Sequence, residues 1–390
     1  MDAVLERELS FELTDDQKMI RESVKEFVER NVAPTVMERD NSKKFPHDIV
    51  KNLGEMGMLG IYHEEQYGGS GFDVVSFCLA IEEIARWDAS LALTVASHTS
   101  LGTGHIAVAG NHQQKMKYMP ELTSGEKLAA WCLTEPGSGS DASGMKTTAI
   151  KNGDQYILNG SKIFITQGSV GDTYVVLAKT DPDKGTKGIS AFIVEREWDG
   201  VKPGPGMYKL GMNSSDTTEV VFENVEVPAE NLLGNKGQGF VDTMKVLDGG
   251  RVGIAALSVG IARGALEESL KYSMERKQFG NAIGNFQYME GKMVDMATEI
   301  DAARLLVHRA AWLKQNGKPY TTEASMAKLF ASELSVRAAL DAIQIHGGYG
   351  YIKEYHVERF LRDSKLMTIG EGTSEVQRLI IARELKKTLA

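Results

Sequence analysis

Two short segments of this 390-residue chain put reactive residue types where a ligand could reach them. In IGEGTSEVQRLIIAREL, residues 369–385, Glu371 stands between Gly370 and Gly372, just before a stretch with helical apolar spacing. Glycines on both sides remove side-chain bulk and leave the carboxylate approachable. In an apolar pocket such a carboxylate holds its proton more tightly than usual, which suits a general base. Thr373 or Ser374 would cap the following helix. The same Glu also fits an ordinary dipole-stabilising position at a helix N-terminus, so residue type alone leaves both roles open. In WCLTEPGSGSDASG, residues 131–144, an apolar run ends at Thr134 and a Pro-Gly turn follows. Gly137, Gly139 and Ser140 would let a ligand close on main-chain N–H groups. Gly/Ser turns are equally common as plain strand exits.

Other chemistries lack their residues. No GxGxxG joins a strand to a helix and no GxxxxGK[ST] occurs, which argues against a doubly wound nicotinamide dehydrogenase and a P-loop NTPase. HExxH, GxSxG and Cys/His clusters are absent as well. A net charge of -9 argues against a main role on nucleic acid. Cys78 and Cys132 lie in apolar runs and read as buried free thiols. The opening MDAVLERELSFELTDDQ lacks the basic start and apolar block of a secretory signal. No uninterrupted apolar stretch is long enough to span a bilayer. These features suggest a cytoplasmic protein or the mature form of an organellar one.

The elements that must position these residues fall into three parts. Residues 1–125 read as helical: Thr14 and Gln17 fit a capping box, and Ile20, Val24, Phe27 and Val28 make one apolar face up to Pro34. Residues 75–101, rich in Ala, Leu, Ile and Val, suggest one or two buried helices. Residues 126–237 change to short strands, with Asn152-Gly153 and Asn159-Gly160 as hairpin signals. A small antiparallel β-barrel or sandwich is expected there. Residues 238–390 return to helical spacing in segments 240–275, 286–316, 320–346 and 373–387, as in a four-helix bundle. Small residues from Gly253 to Ala265 would allow close helix approach or a buried subunit contact. The fold class is α+β with an all-α start, a β middle and a helical-bundle end.

Taken together, seven ordered segments resemble the acyl-CoA dehydrogenase family, closest to its short-chain, butyryl-CoA members. They are EEQYGGSG (64–71), WCLTEPGSGSD (131–141), LNGSKIFIT (158–166), LDGGR (247–251), ERKQFG (275–280), QIHGGYGY (344–351) and EGTSEVQR (371–378), and they span nearly the whole chain. The resemblance implies FAD, an acyl-CoA substrate, electron-transferring flavoprotein as acceptor and a homotetramer. It implies α,β-dehydrogenation to a trans-2-enoyl thioester, with Glu371 removing the α-proton while a hydride leaves for flavin N5. The thioester oxygen would be held by a flavin ribityl hydroxyl and the Glu371 main-chain N–H, an oxyanion-hole arrangement.

By the same resemblance, Trp131, Leu133, Thr134, Phe164, Ile165 and Thr166 would line the flavin, and Gly139 and Ser140 the phosphates or pantetheine. Arg276, Gln278, Phe279 and Gln287 would reach a neighbouring subunit's FAD, with Gln344, Gly347 and Gly348 at its adenosine and pyrophosphate. Thr373, Ser374 and Glu375 would complete the FAD site. Asp248 and Arg251 would meet the CoA arm, with Gly370 and Gly372 at the acyl end. Three positions depart from common patterns. Gly370 replaces a frequent Tyr, which widens the acyl pocket. Gly250 stands where isovaleryl-type members carry their base. Phe164 replaces a frequent Trp. A short or branched acyl group follows from the first departure.

Overall fold

Thr14 Oγ1 accepts from the Gln17 N–H while Gln17 Oε1 accepts from the Thr14 N–H. This complete capping box starts α1 (Asp15–Asn31), whose buried stripe includes Ile20, Val24 and Val28. The computed structural model describes residues 12–387, so most of the opening segment weighed above as a signal lies outside the described residues. Helices α2 (Val36–Ser42) and α3 (His47–Glu55) follow. The Ala/Leu/Ile/Val-rich stretch forms two helices, α4 (Val74–Ala85) and α5 (Ala89–Ser97), each capped by an Asp and buried at every residue. A π-helical turn, His98–Gly102, then leads into α6 (Thr103–Ala109) and α7 (His112–Thr123). Such turns widen a helix by one residue and often mark functional regions.

Eight strands make the middle of the chain: β1 (Ala129–Cys132), β2 (Thr148–Asn152), β3 (Gln155–Thr166), β4 (Thr173–Lys179), β5 (Ile189–Glu195), β6 (Val201–Pro203), β7 (Thr217–Pro228) and β8 (Leu232–Leu233). Their order is β6-β7-β3-β2-β4-β5-β8, with β1 beside β4. Most pairings are antiparallel, but β1 runs parallel to β4 from Ala129↔Thr173 to Cys132↔Val176. Asn152 pairs with Gln155 across the expected hairpin, with Gly153 at φ 61°. Asn159-Gly160 is not a turn. It lies inside β3 at a register shift against β7. Asn159 spends its amide on Asn224, and a Cβ on Gly160 would sit 2.3 Å from Thr147 Oγ1, so this glycine serves a bulge and a close approach.

The C-terminal helices are α8 (Gly239–Glu275), α9 (Gln287–Gln315), α10 (Thr321–His346), α11 (Val357–Met367) and α12 (Ser374–Lys387). A two-stranded ribbon, β9 (Lys277–Gln278) and β10 (Asn281–Ala282), joins α8 to α9. Helix α11 adds to the four segments read by spacing. The small residues of α8 serve close packing within the chain: a Cβ on Gly260 would lie 2.6 Å from Ala85 Cβ, and one on Gly264 2.4 Å from Arg86 O. Both helical regions share one hydrophobic core, in which α1, α4 and α5 pack with α8, α9 and α10. A second core ties α6, α7 and α8 to β1, β4 and β5, and a third fills the far face of the sheet. No described helix is long and apolar enough to cross a membrane.

Candidate active site

Glu371 lies in the reversal between α11 and α12, where Gly370 N donates to Leu366 O at 2.8 Å and Ser374 N to Thr368 O at 3.1 Å. Its φ is +52°, a region a Glu enters only when its surroundings compel it, and Gly372 follows at +96°. Thr373 Oγ1 accepts from the Val376 N–H at 3.3 Å, so Thr373 caps α12 and Glu371 stands outside the helix. Gln377 Nε2 donates to the carbonyls of Glu371 and Gly372 at 3.3 and 3.0 Å. The residue is half-buried, but Oε2 of its carboxylate is enclosed without a hydrogen-bond partner. Burial pushes this carboxyl up to about 7, against the pull of Lys328 and Arg251.

Helix α8 is shaved where it faces this group. A Cβ on Gly250 would lie 2.1 Å from Glu371 Oε2 and 2.8 Å from Leu101, which the π-helical turn supplies. A Cβ on Gly370 would have only ordinary contacts, the nearest being Leu366 O at 3.6 Å. Asp248 is already engaged, by Arg251 and by Thr321 Oγ1 at 2.6 Å. Arg251 Nε is buried and unpartnered, as is Ser374 Oγ. Glu375 is exposed on the first turn of α12.

The second segment adjoins the first through a shared core in which Trp131 and Leu133 meet Leu101 and Val246. Trp131 Nε1 donates to His105 Nδ1 at 3.0 Å. Thr134 is half-buried, and Gly137, Gly139 and Ser140 project into open space. On β3, Phe164 has φ +58° and is 65% exposed, and Thr166 is half-buried. Ile165 differs from expectation: its side chain is 2% exposed inside the sheet core, so only its main chain faces a ligand.

A third cluster stands apart. Arg276, Gln278, Gly347 and Gly348 line a cavity of about 590 Å³, with Tyr272 stacked on His346 and Arg276 over the Tyr349 ring. Phe279 is 94% exposed beside it, while Gln287 begins α9 and Gln344 lies in the last turn of α10. Asp248 lies in the third turn of α8 and Arg276 caps its far end, about 40 Å away at 1.5 Å per residue.

Sequence reasoning passed over three residues that build the site. Lys162 and Glu135 form a buried ion pair at 2.7 Å, and Lys162 also donates to Leu133 O at 3.1 Å. Glu135 in turn accepts from the N–H groups of Lys146 and Thr147, which pins the 131–144 loop. Lys328 on α10 is fully buried and donates to Gly372 O at 2.7 Å. Glu135 and Lys162 each sat inside a quoted motif, which was the available signal.

Comparison with known proteins agrees with this layout. Models of the N-terminal, middle and C-terminal domains of acyl-CoA dehydrogenase match residues 14–126, 130–225 and 237–386. A "short-chain specific" acyl-CoA dehydrogenase of Clostridium acetobutylicum is 47% identical over 377 residues, 97% of this chain and 100% of that protein. The butyryl-CoA dehydrogenase structure of Megasphaera elsdenii superposes with a TM-score of 0.95 at 46% identity, covering 97% of this chain and 100% of the other. Subunit CarC of a caffeyl-CoA reductase-Etf complex from Acetobacterium woodii is 45% identical over 375 residues, 96% of this chain and 99% of its own. The chain belongs to the acyl-CoA dehydrogenase family. It is an FAD-dependent oxidoreductase.

The residues present fit that cofactor. Open space at Gly137 and Gly139 leaves main-chain N–H groups approachable, and the exposed Phe164 offers an aromatic face, a donor set and a surface that suit a flavin nucleotide. Cys132 behind them is buried and pushed up to about 12, so it stays an inert thiol.

Proposed function

We propose that this protein oxidises a short-chain or branched acyl-CoA thioester to its trans-2-enoyl product, with Glu371 as the base that takes the α-proton. The observation that carries the reading is the buried, unpartnered Oε2 of Glu371, aimed at the shaved face of α8. A carboxylate with a proton affinity near neutrality is free to accept a proton at pH 7–8 and strong enough to pull one. The main-chain N–H of Glu371 would polarise the thioester carbonyl. FAD, when bound, supplies the two-electron acceptor for the β-hydrogen. Trp131, Leu133, Thr134, Phe164, the Ile165 main chain and Thr166 would hold its ring, with Gly139 and Ser140 at the phosphates or pantetheine. Thr373, Ser374 and Glu375 would close the site at the start of α12. Arg251 would bind the CoA arm, oriented by Asp248, and Gly370 would leave space at the acyl end, with Gly372 beside it held against Gln377.

The distance along α8 supports two half-sites from different subunits. Arg276, Gln278, Phe279, Gln287, Gln344, Gly347 and Gly348 would grip the FAD of a neighbour, in a homotetramer. Electrons would pass to electron-transferring flavoprotein, a reading supported by the relative named as part of an Etf complex. That relative's name also favours a second reading, in which Glu371 returns a proton to the α-carbon of an enoyl thioester and the enzyme runs as a reductase.

An anaerobic visible spectrum of the holoenzyme tests the reading. Bleaching of the flavin by butyryl-CoA or isovaleryl-CoA, with a long-wavelength charge-transfer band, is the expected result. Faster reduction by octanoyl-CoA would rule out the short-chain assignment. No bleaching by any saturated thioester, with reoxidation of reduced enzyme by an enoyl thioester, would favour the reductase.

A further inference from the structure

Lys328 has no obvious reason to be where it is. It sits on α10 with a side chain fully buried at 0% exposure, a place a Lys occupies only when paired. Its partner is not a carboxylate. Nζ donates to the main-chain carbonyl of Gly372 at 2.7 Å, the carbonyl next to Glu371 in sequence. Gln377 Nε2 donates to the same oxygen at 3.0 Å. Two donors therefore converge on the Gly372 carbonyl, one peptide beyond the left-handed Glu371, and Gly372 continues that turn at φ +96°. An ammonium attached there does two things: it fixes the direction of the turn, and it puts a positive charge beside an enclosed carboxylate.

We infer that Lys328 is a positioning residue for the base, holding the Glu371–Gly372 turn through the Gly372 carbonyl and setting by its charge the pH at which Glu371 becomes able to accept a proton. The inference rests on the proposed role of Glu371. Burial alone drives the Glu371 carboxyl upward, and Lys328 is the largest influence in the other direction, ahead of Arg251. The Lys328 ammonium is itself pulled down to about 8 by burial, with Glu371 opposing that shift. Each charge thus favours the charged form of its neighbour, against the burial that disfavours both.

The other charged and titratable groups around the pair are few. From α8 come Arg251, which draws the Glu371 carboxyl down and also disfavours the Lys328 ammonium, and Asp248, which is ion-paired with Arg251. Glu375 on α12 and Glu333 on α10 act on Lys328, and Tyr62 faces Glu371 from the N-terminal region. Glu333 is further engaged by Arg378 at 2.7 Å. No other ammonium than that of Lys328 acts on the Glu371 carboxylate among the described residues.

The test compares wild-type, Lys328→Met and Lys328→Gln holoenzymes. Gln keeps a donor for the Gly372 carbonyl and loses the charge; Met loses both. The readouts are the pH profile of kcat/KM for butyryl-CoA and the infrared carboxyl band of Glu371, identified by its absence in Glu371→Gln. In both variants the rising limb and the carboxyl titration should move together to higher pH by about one pH unit. At pH 7 the loss should fall on kcat, with KM within about twofold of wild type. Met should show an additional drop at every pH, from a loosened turn, and Gln should not. An unmoved carboxyl titration in either variant would overturn the inference, even if activity fell. Should Lys328→Met fail to fold, Lys328→Gln decides alone. A wild-type enzyme that oxidises no thioester would instead sink the functional reading, while the infrared titration would still report on the pair.

Discussion

At the scale of the residue, the site is a contest between burial and charge around one carboxylate. Glu371→Gln removes the proton acceptor and leaves its shape, so the variant should keep FAD and bind butyryl-CoA. Its flavin should be reduced about 10²–10⁴-fold more slowly, measured by stopped-flow bleaching. Undiminished reduction would put the base elsewhere. Because burial pushes the Glu371 carboxyl up to about 7, the proposed base would be protonated and idle below that pH and free above it. The kcat/KM profile should therefore rise with pH through about 7, not through the ordinary carboxylate range near 4. Gly250→Ala tests the shaved helix face. Its methyl would lie 2.1 Å from Oε2, so the carboxylate must move. Activity should fall at least tenfold, about 1.4 kcal/mol of barrier, with little loss of helix stability because Ala favours a helix over Gly. Glu371 could be singled out as a candidate base from its flanking glycines and its motif. Lys328 was not: in sequence it is one Lys on a helix, and nothing local distinguishes a solvated Lys from a buried one.

At the scale of the element, the flavin-side loop depends on an ion pair that crosses from loop to strand. Lys162 and Glu135 are 0% and 6% exposed at their side chains, so neither charge has water to fall back on. Lys162→Met should cost about 3–5 kcal/mol in urea unfolding, because it strands Glu135 as a buried charge. Lys162→Met combined with Glu135→Gln, which removes the charge and keeps an acceptor for the N–H groups of Lys146 and Thr147, should recover much of that loss. A double variant as unstable as the single one would show that the pair is not the anchor. Helix and strand spans were readable wherever a period persisted, as in α8, α9 and α10. Three features escaped because their causes are distant in sequence. The parallel pairing of β1 with β4 joins residues 129–132 to 173–176. The bulge at Gly160 stands against Thr147, which leaves no room for a Cβ there. The charge-rich α11 is ordered by tertiary ion pairs such as Arg362 with Asp40 at 2.6 Å.

At the scale of the whole molecule, the two clusters widely separated along α8 predict that each active site needs two chains. Subunits carrying Glu371→Gln should complement subunits carrying Arg276→Ala. In mixed tetramers an intact Glu371 and an intact Arg276 from different chains can meet at one flavin. Co-expression should give clear activity where either variant alone gives little, and equal inactivity of the mixture would refute a shared site. The common core of the two helical regions also has a consequence for how the protein is made. Every residue of α4 and α5 is buried, and much of their cover is α8, which ends at Glu275. On a ribosome elongating at about 5–20 residues per second, roughly 10–40 s pass between the emergence of Ala85 and that of Glu275. Throughout that interval two helices that end wholly buried wait without their partner, and Glu82 and Glu83 of α4 wait for Arg263 of α8, while the sheet between them can already close on itself. Nascent chains stalled before α8 should therefore be the ones that chaperones hold, and release should follow the arrival of that single helix.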